Sequence, residues 1–469
     1  MSHVIRNAAR ALLGALFIVC VYRAITQSIT HDEAFTWELY LAGPSSAIFH
    51  RFDANHHFLN TILMRISAAI FGTSEFSLRL PALLGAALYF AAVDRLAFFF
   101  KNAWMHLLAV ALMTLNPFVL DFMVAARGYG LALAFWTWAL ILIGEQNPKR
   151  SLLAGTALGL SIMANLVFLP PAGLLAAVGI YVWRNRATPP AERKKKRSTA
   201  PQPIAPWIPF LASFGGVCLL YLLAAPFENA SLENFYVGAD TIAESLRSLT
   251  RVSLQHSGPF QAQPWISKWV DIVAFAIAPL ISLGGIFIGY RRRDAFMLIS
   301  GGVMIMSALG LIAMHLLLDR PYPADRTGIY FLSLVALMLA LIGDREPKLA
   351  IPVLILGSLF AAQFATEFNL RKFYLWEYDA DTKSIAQALA DRRDRNAQTV
   401  RVGASYTLSR ALFFYASKNN WPWLELTNKP TAGLDFNVLA VEDRKMEPAL
   451  GVVEIYEGPV SHSVLTARR

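Results

Sequence analysis

Four ionisable residues stand at the ends of apolar stretches of this chain: Asp32, Arg79, Arg127 and Arg326. An ionisable group costs about 2.5–3.5 kcal/mol at the centre of a membrane helix on insertion scales, and less at the rim. Several such groups at one depth therefore need a reason. A carboxylate there can take the proton of a hydroxyl. Guanidiniums can hold a phosphate through paired N–H groups and neutralise it as it leaves, and a lipid phosphate lies at that depth. Glu33 adjoins Asp32 and would tune it as a neighbouring like charge; it suits the first turn of a helix equally well, where the helix dipole favours an acid. Each residue also has a plainer reading. Asp32 could be a helix start, Arg79 and Arg127 could snorkel to headgroups, and Arg326, after Pro321-Tyr322-Pro323, could be an interfacial anchor. Of the adjacent His56 and His57, two are too few for a zinc site. Only His56 is retained as a donor contact, against the plainer reading of an interfacial pair.

The elements that would position these groups are membrane helices. The chain has 469 residues, 56% hydrophobic and 16% charged, against about 25% charged in an ordinary soluble domain. That excludes a soluble enzyme and a disordered or collagen-like chain. A helical span needs about 20 apolar residues, and eleven stretches qualify: 8–26, 76–100, 104–122, 128–144, 152–165, 168–183, 207–226, 269–290, 295–318, 327–343 and 349–365. Residues 58–72, too short to span and carrying Arg65, read as an interfacial helix. The fold class expected is a polytopic α-helical membrane protein with a small C-terminal α/β domain outside the membrane.

Net charge is +10, but the basic residues fall between apolar runs. With the N-terminus in the cytoplasm behind Arg6 and Arg10, Lys101, Lys149, Arg150, residues 184–197, Arg291–Arg293, Arg345 and Lys348 all fall on the cytoplasmic side, as topology requires. Nucleic acid is therefore not an expected partner. The segment 184–206 reads as a basic cytoplasmic linker, and 27–75 and 227–268 as outer loops. Residues 1–373 make the transmembrane domain and 374–469 the tail, with strands expected at 400–404, 437–441 and 452–456 and helices at 382–393 and 408–417. Cys20 and Cys218 lie in apolar runs, so neither a disulfide framework nor a thiolate metal site is indicated.

The motifs around the four residues carry a resemblance. Thr30-His31-Asp32-Glu33-Ala34 follows the first span. Then come Asn55-His56-His57-Phe58-Leu59-Asn60, and Phe71-Gly72-Thr73-Ser74-Glu75-Phe76-Ser77-Leu78-Arg79-Leu80-Pro81. Asn116-Pro117 precedes Ala126-Arg127-Gly128-Tyr129. In this order they resemble the first outer loop and fourth span of the C-type (GT-C) membrane glycosyltransferases, near the protein O-mannosyltransferases and the bacterial lipid A aminoarabinose transferases. The resemblance covers roughly residues 8–138 and finds nothing for the tail.

It implies a polyprenyl-phosphate sugar donor, with Asp32 as the base that activates an acceptor hydroxyl of lipid, glycan or protein. The sugar carbon inverts, and basic side chains stabilise the departing phosphate. Arg79, Arg127, Arg326, His56 and Tyr129 would bind the donor, and Asp32 and Glu33 would form the catalytic pair. The expected location is a bacterial plasma membrane, with the site and tail facing the exterior. Many relatives place an acid before the Arg of the Arg-x-Tyr motif. Here those positions are Ala125 and Ala126, which weakens a divalent-metal mechanism, although Glu33, His31 and His56 remain as possible ligands. The rival reading is a transporter or flippase of lipid-linked sugars. Transporters usually place their charges near the midplane between repeated halves, and no repeat is evident here.

Overall fold

A computed structural model describes residues 2–53, 55–186, 205–230, 238–254 and 264–469. The basic run Arg193–Arg197 lies outside them. Each of the eleven apolar stretches is helical over most of its length. Among the described residues, eight helical segments are long and apolar enough to cross a membrane: His3–Thr26, Glu75–Phe99, Leu166–Arg184, Trp207–Ala224, Ser267–Arg292, Ala295–Leu318, Asp325–Arg345 and Pro347–Glu367. The chain is a multi-pass membrane protein. The other three stretches form shorter helices, Ala103–Thr114, Tyr129–Glu145 and Ser151–Ala164. The expected span 104–122 breaks at Asn116-Pro117. Pro117 has no N–H to continue the ladder, and the Asn116 side chain caps a new helix, Pro117–Phe122, by accepting from the N–H groups of Phe118 and Val119.

The basic loops gather at one end of the bundle. There Glu145 pairs with Arg95 and Arg150, Arg345 with Asp294 and Asp344, and Arg291 and Arg292 with Glu346. The first outer loop lies at the opposite end. Its helix His31–Tyr40 starts with a capping box: Glu33 N–H donates to Thr30 Oγ1 at 3.2 Å, and Thr30 N–H donates to Glu33 Oε2 at 2.9 Å. The stretch 58–72 is helical over Phe58–Phe71.

The tail is a five-stranded mixed sheet. In chain order the strands are β1 (Val400–Ala404), β2 (Leu424–Thr427), β3 (Phe436–Leu439), β4 (Val452–Glu457) and β5 (Val464–Arg468), arranged β2-β1-β3-β5-β4. The strand β1 runs parallel to β2 and β3, while β5 is antiparallel to β3 and β4. The strands β2 and β5 add to the three expected. Edge strand β2 is four residues long and half-buried, too short for its alternation to register in sequence.

The tail is not a separate body. Its helix Tyr406–Lys418 shares a hydrophobic core with Ile29, Ala34, Trp37, Met64 and Leu78 of the transmembrane part. Trp37 meets Phe414 edge-on with ring centres 5.1 Å apart. Glu75, at the head of the second span, accepts from Lys418 at 2.5 Å and pairs with Lys383 at 2.9 Å. The chain leading into the tail is tied down as well. Arg23 donates to Lys372 O at 2.9 Å and pairs with Asp121 at 2.6 Å, and Asp121 accepts from Tyr374 N–H at 2.8 Å.

Beneath the first loop, Arg79 and Glu33 are both fully buried and meet through two hydrogen bonds of 2.9 and 2.7 Å. Removing one partner of such a pair strands a buried charge, at a cost of about 3–5 kcal/mol. Arg79→Ala is expected to lower the thermal midpoint of the detergent-solubilised protein by several degrees. Arg79→Lys is expected to fall with it, because lysine lacks the planar fork. Midpoints of both variants equal to wild type would show that the pair does not hold the fold.

Candidate active site

The two adjacent acids of helix His31–Tyr40 leave its first turn toward different surroundings. Glu33 is 0% exposed and points inward; Asp32 is 9% exposed. Glu33 Oε1 also accepts the Ala126 N–H at 2.6 Å, which fixes the turn that carries Arg127. Arg79 spends its remaining N–H groups on backbone carbonyls, reaching Gln27 O at 2.8 Å and Ser28 O at 2.6 Å.

Asp32 stands between two cations. Its Oδ2 lies 3.6 Å from Arg127 Nη2 and 3.4 Å from Arg326 Nη1, and it has no hydrogen-bond partner. Arg127 is anchored on its other side, with Nη2 donating to Asn55 Oδ1 at 2.7 Å, while its Nε is buried and unpartnered. The Tyr129 side chain faces Arg326 closely enough to interact with its charge, and Tyr129 meets the His57 ring edge-on at 5.2 Å. The residue between Arg127 and Tyr129 has to be glycine: a Cβ on Gly128 would lie 1.9 Å from the Ala164 carbonyl oxygen.

Burial pushes the Asp32 carboxyl up, but Arg127 and Arg326, with His31 and the Trp376 indole, overcome this and hold it below the usual aspartate range. Burial lowers the Arg127 guanidinium, with Asp32 opposing it; a guanidinium stays charged nonetheless. Asp379 behaves in the opposite way to Asp32. Its burial raises it well above the usual range, against the pull of the His31 N–H that it accepts at 2.6 Å, and the like charges of Asp32 and Glu33 add to the rise. Two carboxyls shifted in opposite directions therefore flank the same helical turn.

The structure brings Asp32, Arg127, Arg326 and Tyr129 together. Glu33 and Arg79 sit behind them, engaged with each other. His56 stacks on Tyr40 at 4.1 Å, and burial pulls its imidazole down to about 4. Among the described residues no three His, Cys, Asp or Glu side chains converge as a metal site would require. Of the candidate ligands, Glu33 is committed to Arg79 and His31 Nδ1 bonds Thr407 O at 2.8 Å. The residues present do not fit a divalent metal.

Sequence reasoning passed over Asn55, Trp376 and Asp379. Asn55 lies within a segment already singled out, next to His56. Trp376 and Asp379 come from the tail and carried no local signal.

An apolar cavity of about 440 Å³ reaches the chain just before Arg326, without being lined by Asp32, Arg127, Arg326 or Tyr129 themselves. Its wall includes Leu112, Asn116, Leu249, Met304, Tyr322 and Pro323, the last two directly preceding the turn of Arg326.

No protein-family model matches the chain, and no curated protein matches it. Solved structures do. ArnT from Cupriavidus metallidurans in the apo state is 14% identical, with 98% of each chain covered and a TM-score of 0.47. The same protein bound to undecaprenyl phosphate is 15% identical, with 97% of each chain covered and a TM-score of 0.42. The arabinosyltransferase EmbB from Mycobacterium smegmatis is 13% identical over 72% of this chain and 30% of that one, at a TM-score of 0.44.

Proposed function

We propose that the protein is an inverting glycosyltransferase that moves a sugar from a polyprenyl-phosphate donor to an acceptor hydroxyl at the outer face of a bacterial plasma membrane. One observation carries this reading: an ionised carboxylate oxygen, Asp32 Oδ2, lies without a hydrogen bond between Arg127 and Arg326 at 3.6 and 3.4 Å. Ion pairs this loose leave both guanidiniums with donors to offer a phosphate. The neighbouring apolar cavity suits the prenyl chain. The basic loops at the opposite end of the bundle support an orientation with that end in the cytoplasm, by the positive-inside rule, and the site and tail on the other side.

In the reaction Asp32 accepts the proton of the acceptor hydroxyl. The hydroxyl oxygen attacks the anomeric carbon from the face opposite the phosphate. The bond from that carbon to the phosphate oxygen breaks, and polyprenyl phosphate departs with the electron pair. Arg127 and Arg326 neutralise the growing charge, an effect worth about 2.7–4 kcal/mol per donor in one well-studied enzyme. The arginines that turn to the phosphate release their hold on Asp32 and so restore its basicity as the donor seats. Tyr129 steadies Arg326, and Asn55 steadies Arg127. Glu33 and Arg79 act through the frame that they hold, and His56 through its stack on Tyr40.

The direct test is mass spectrometry of envelope glycolipids and glycans from a deletion strain complemented with wild type or with Asp32→Asn. Wild type is expected to restore a lost sugar mass. Asp32→Asn is expected to restore less than about 1% of it, because general base catalysis commonly contributes 10²–10⁴-fold. Full restoration by Asp32→Asn would remove Asp32 as the base and favour transport of a lipid-linked sugar.

The pH dependence gives a second test. Because Asp32 is held below the usual range of about 3.9, kcat/KM is expected to stay level on the acid side down to that range and to fall only below it. Arg127→Met removes the larger counter-charge. The carboxyl then rises, and the acid limb is expected to move up by at least about one pH unit. An acid limb that stays in place would show that Asp32 is not the group being titrated.

A further inference from the structure

The turn that presents Arg326 is held in shape partly from outside. Asp325, immediately before it, has left-handed backbone with φ at 46°, a region that L-residues other than asparagine and aspartate seldom enter. Within the turn, the Thr327 hydroxyl closes a small ring with Ala324, accepting its N–H at 2.8 Å and donating to its carbonyl at 2.7 Å. The remaining support comes from the helix Ile242–Leu254 of a different outer loop.

Ser248 of that helix makes the central contact. Its hydroxyl donates to Asp325 Oδ1 and accepts the Asp325 N–H at 2.9 Å. One side chain thus holds both the backbone and the carboxylate of the left-handed residue. Ser245, one turn earlier, donates to Pro323 O at 2.5 Å. Just before the helix, Ala239 exchanges backbone hydrogen bonds of 2.8 Å with Tyr322. Leu249 presses on Gly328, where a Cβ would come within 2.4 Å of the leucine side chain. The segment 322–328 is gripped along its whole length by residues 239–249.

We propose that Ser248 is a positioning residue for Arg326. Its clasp on Asp325 fixes the turn so that the guanidinium stands 3.4 Å from Asp32, where it meets the phosphate of a polyprenyl-phosphate lipid. This rests on the reading of Arg326 as a phosphate ligand in the preceding subsection. Without the hydroxyl, the left-handed residue loses its two external bonds and relaxes, and Arg326 no longer points at one place.

The test measures binding to the purified full-length protein of two probes, undecaprenyl phosphate and undecaprenol, which differ only in the phosphate. Wild type binds the phosphate more tightly, and Arg326→Ala loses most of that preference. Ser248→Ala is expected to weaken phosphate binding about tenfold, equivalent to about 1.4 kcal/mol, with undecaprenol binding and the thermal midpoint unchanged. Ser248→Thr, which keeps the hydroxyl, is expected to stay within about threefold of wild type, equivalent to about 0.7 kcal/mol. Ser248→Ala binding like wild type while Arg326→Ala is weakened would overturn the proposal. So would an equal loss for both lipids, since Ser248 would then serve only the fold. Absence of any phosphate preference in wild type is the distinct result that removes Arg326 as a phosphate ligand and the proposal with it.

Discussion

The first loop, the second span and the turn of Arg127 are placed by the carboxylate of Glu33. It lies out of reach of water, and its two oxygens serve three elements: the guanidinium of Arg79 on the second span, the Ala126 N–H in the turn of Arg127, and the Thr30 N–H at the start of its own helix. A buried charge is tolerated only when it is paired and its lone pairs are filled. Satisfying Glu33 therefore dictates where the second span, the first loop and the Arg127 turn meet. Arg79 passes the constraint on by binding the carbonyls of Gln27 and Ser28 at the end of the first span. The Phe373 ring lies against Arg79 at 5.1 Å and against Arg23 at 5.0 Å, so the chain leading into the tail is drawn into the same arrangement.

Three carboxyls within one short stretch of space have been given three environments. Glu33 is saturated with partners. Asp379 is buried against an N–H with no cation and is pushed toward its neutral form. Asp32 keeps some exposure and two guanidiniums at ion-pair distance, and it stays ionised. Residue type alone cannot separate these roles; partner sets and burial do. Environments that push neighbouring carboxyls apart are the usual means by which a site keeps one of them reactive.

This explains how far the sequence could be read. The apolar runs and the basic loops are local signals, and the helices they predict are present. The placement of Asp32, Arg127 and Arg326 at one end of the bundle follows from alternating spans and was legible too. The distinction between Asp32 and Glu33 was not, since both are acids in one helical turn and only contacts with residues 46 to 294 positions away tell them apart. The same holds for Arg79, whose type and position suit a phosphate ligand but whose N–H groups face Glu33 and backbone carbonyls. The contributions of Trp376 and Asp379 were invisible for a related reason. They lie in a tail that looks like an independent small domain, and its apolar residues gave no indication that part of its core belongs to the first loop.

That shared core bears on the chemistry. The transmembrane bundle alone would leave Ile29, Trp37 and Leu78 bare at its outer end; with the tail docked they are at most 6% exposed. The tail helix that covers them also receives the Ile29 N–H on the Tyr415 hydroxyl at 2.9 Å, just before Thr30 caps the helix of Asp32. Covering the first loop thus does two things at once. It fixes the start of the helix that carries the carboxylate, and it removes water from around the charges. With less water around it, a charged side chain acts on a neighbouring charge through a lower effective dielectric and so more strongly. A tail that packed elsewhere would leave the same residues in the chain but a wetter and weaker field around Asp32. The sheet domain is therefore part of the site's electrostatics even though, apart from the lead-in residues Trp376 and Asp379, it brings no side chain to the charges themselves.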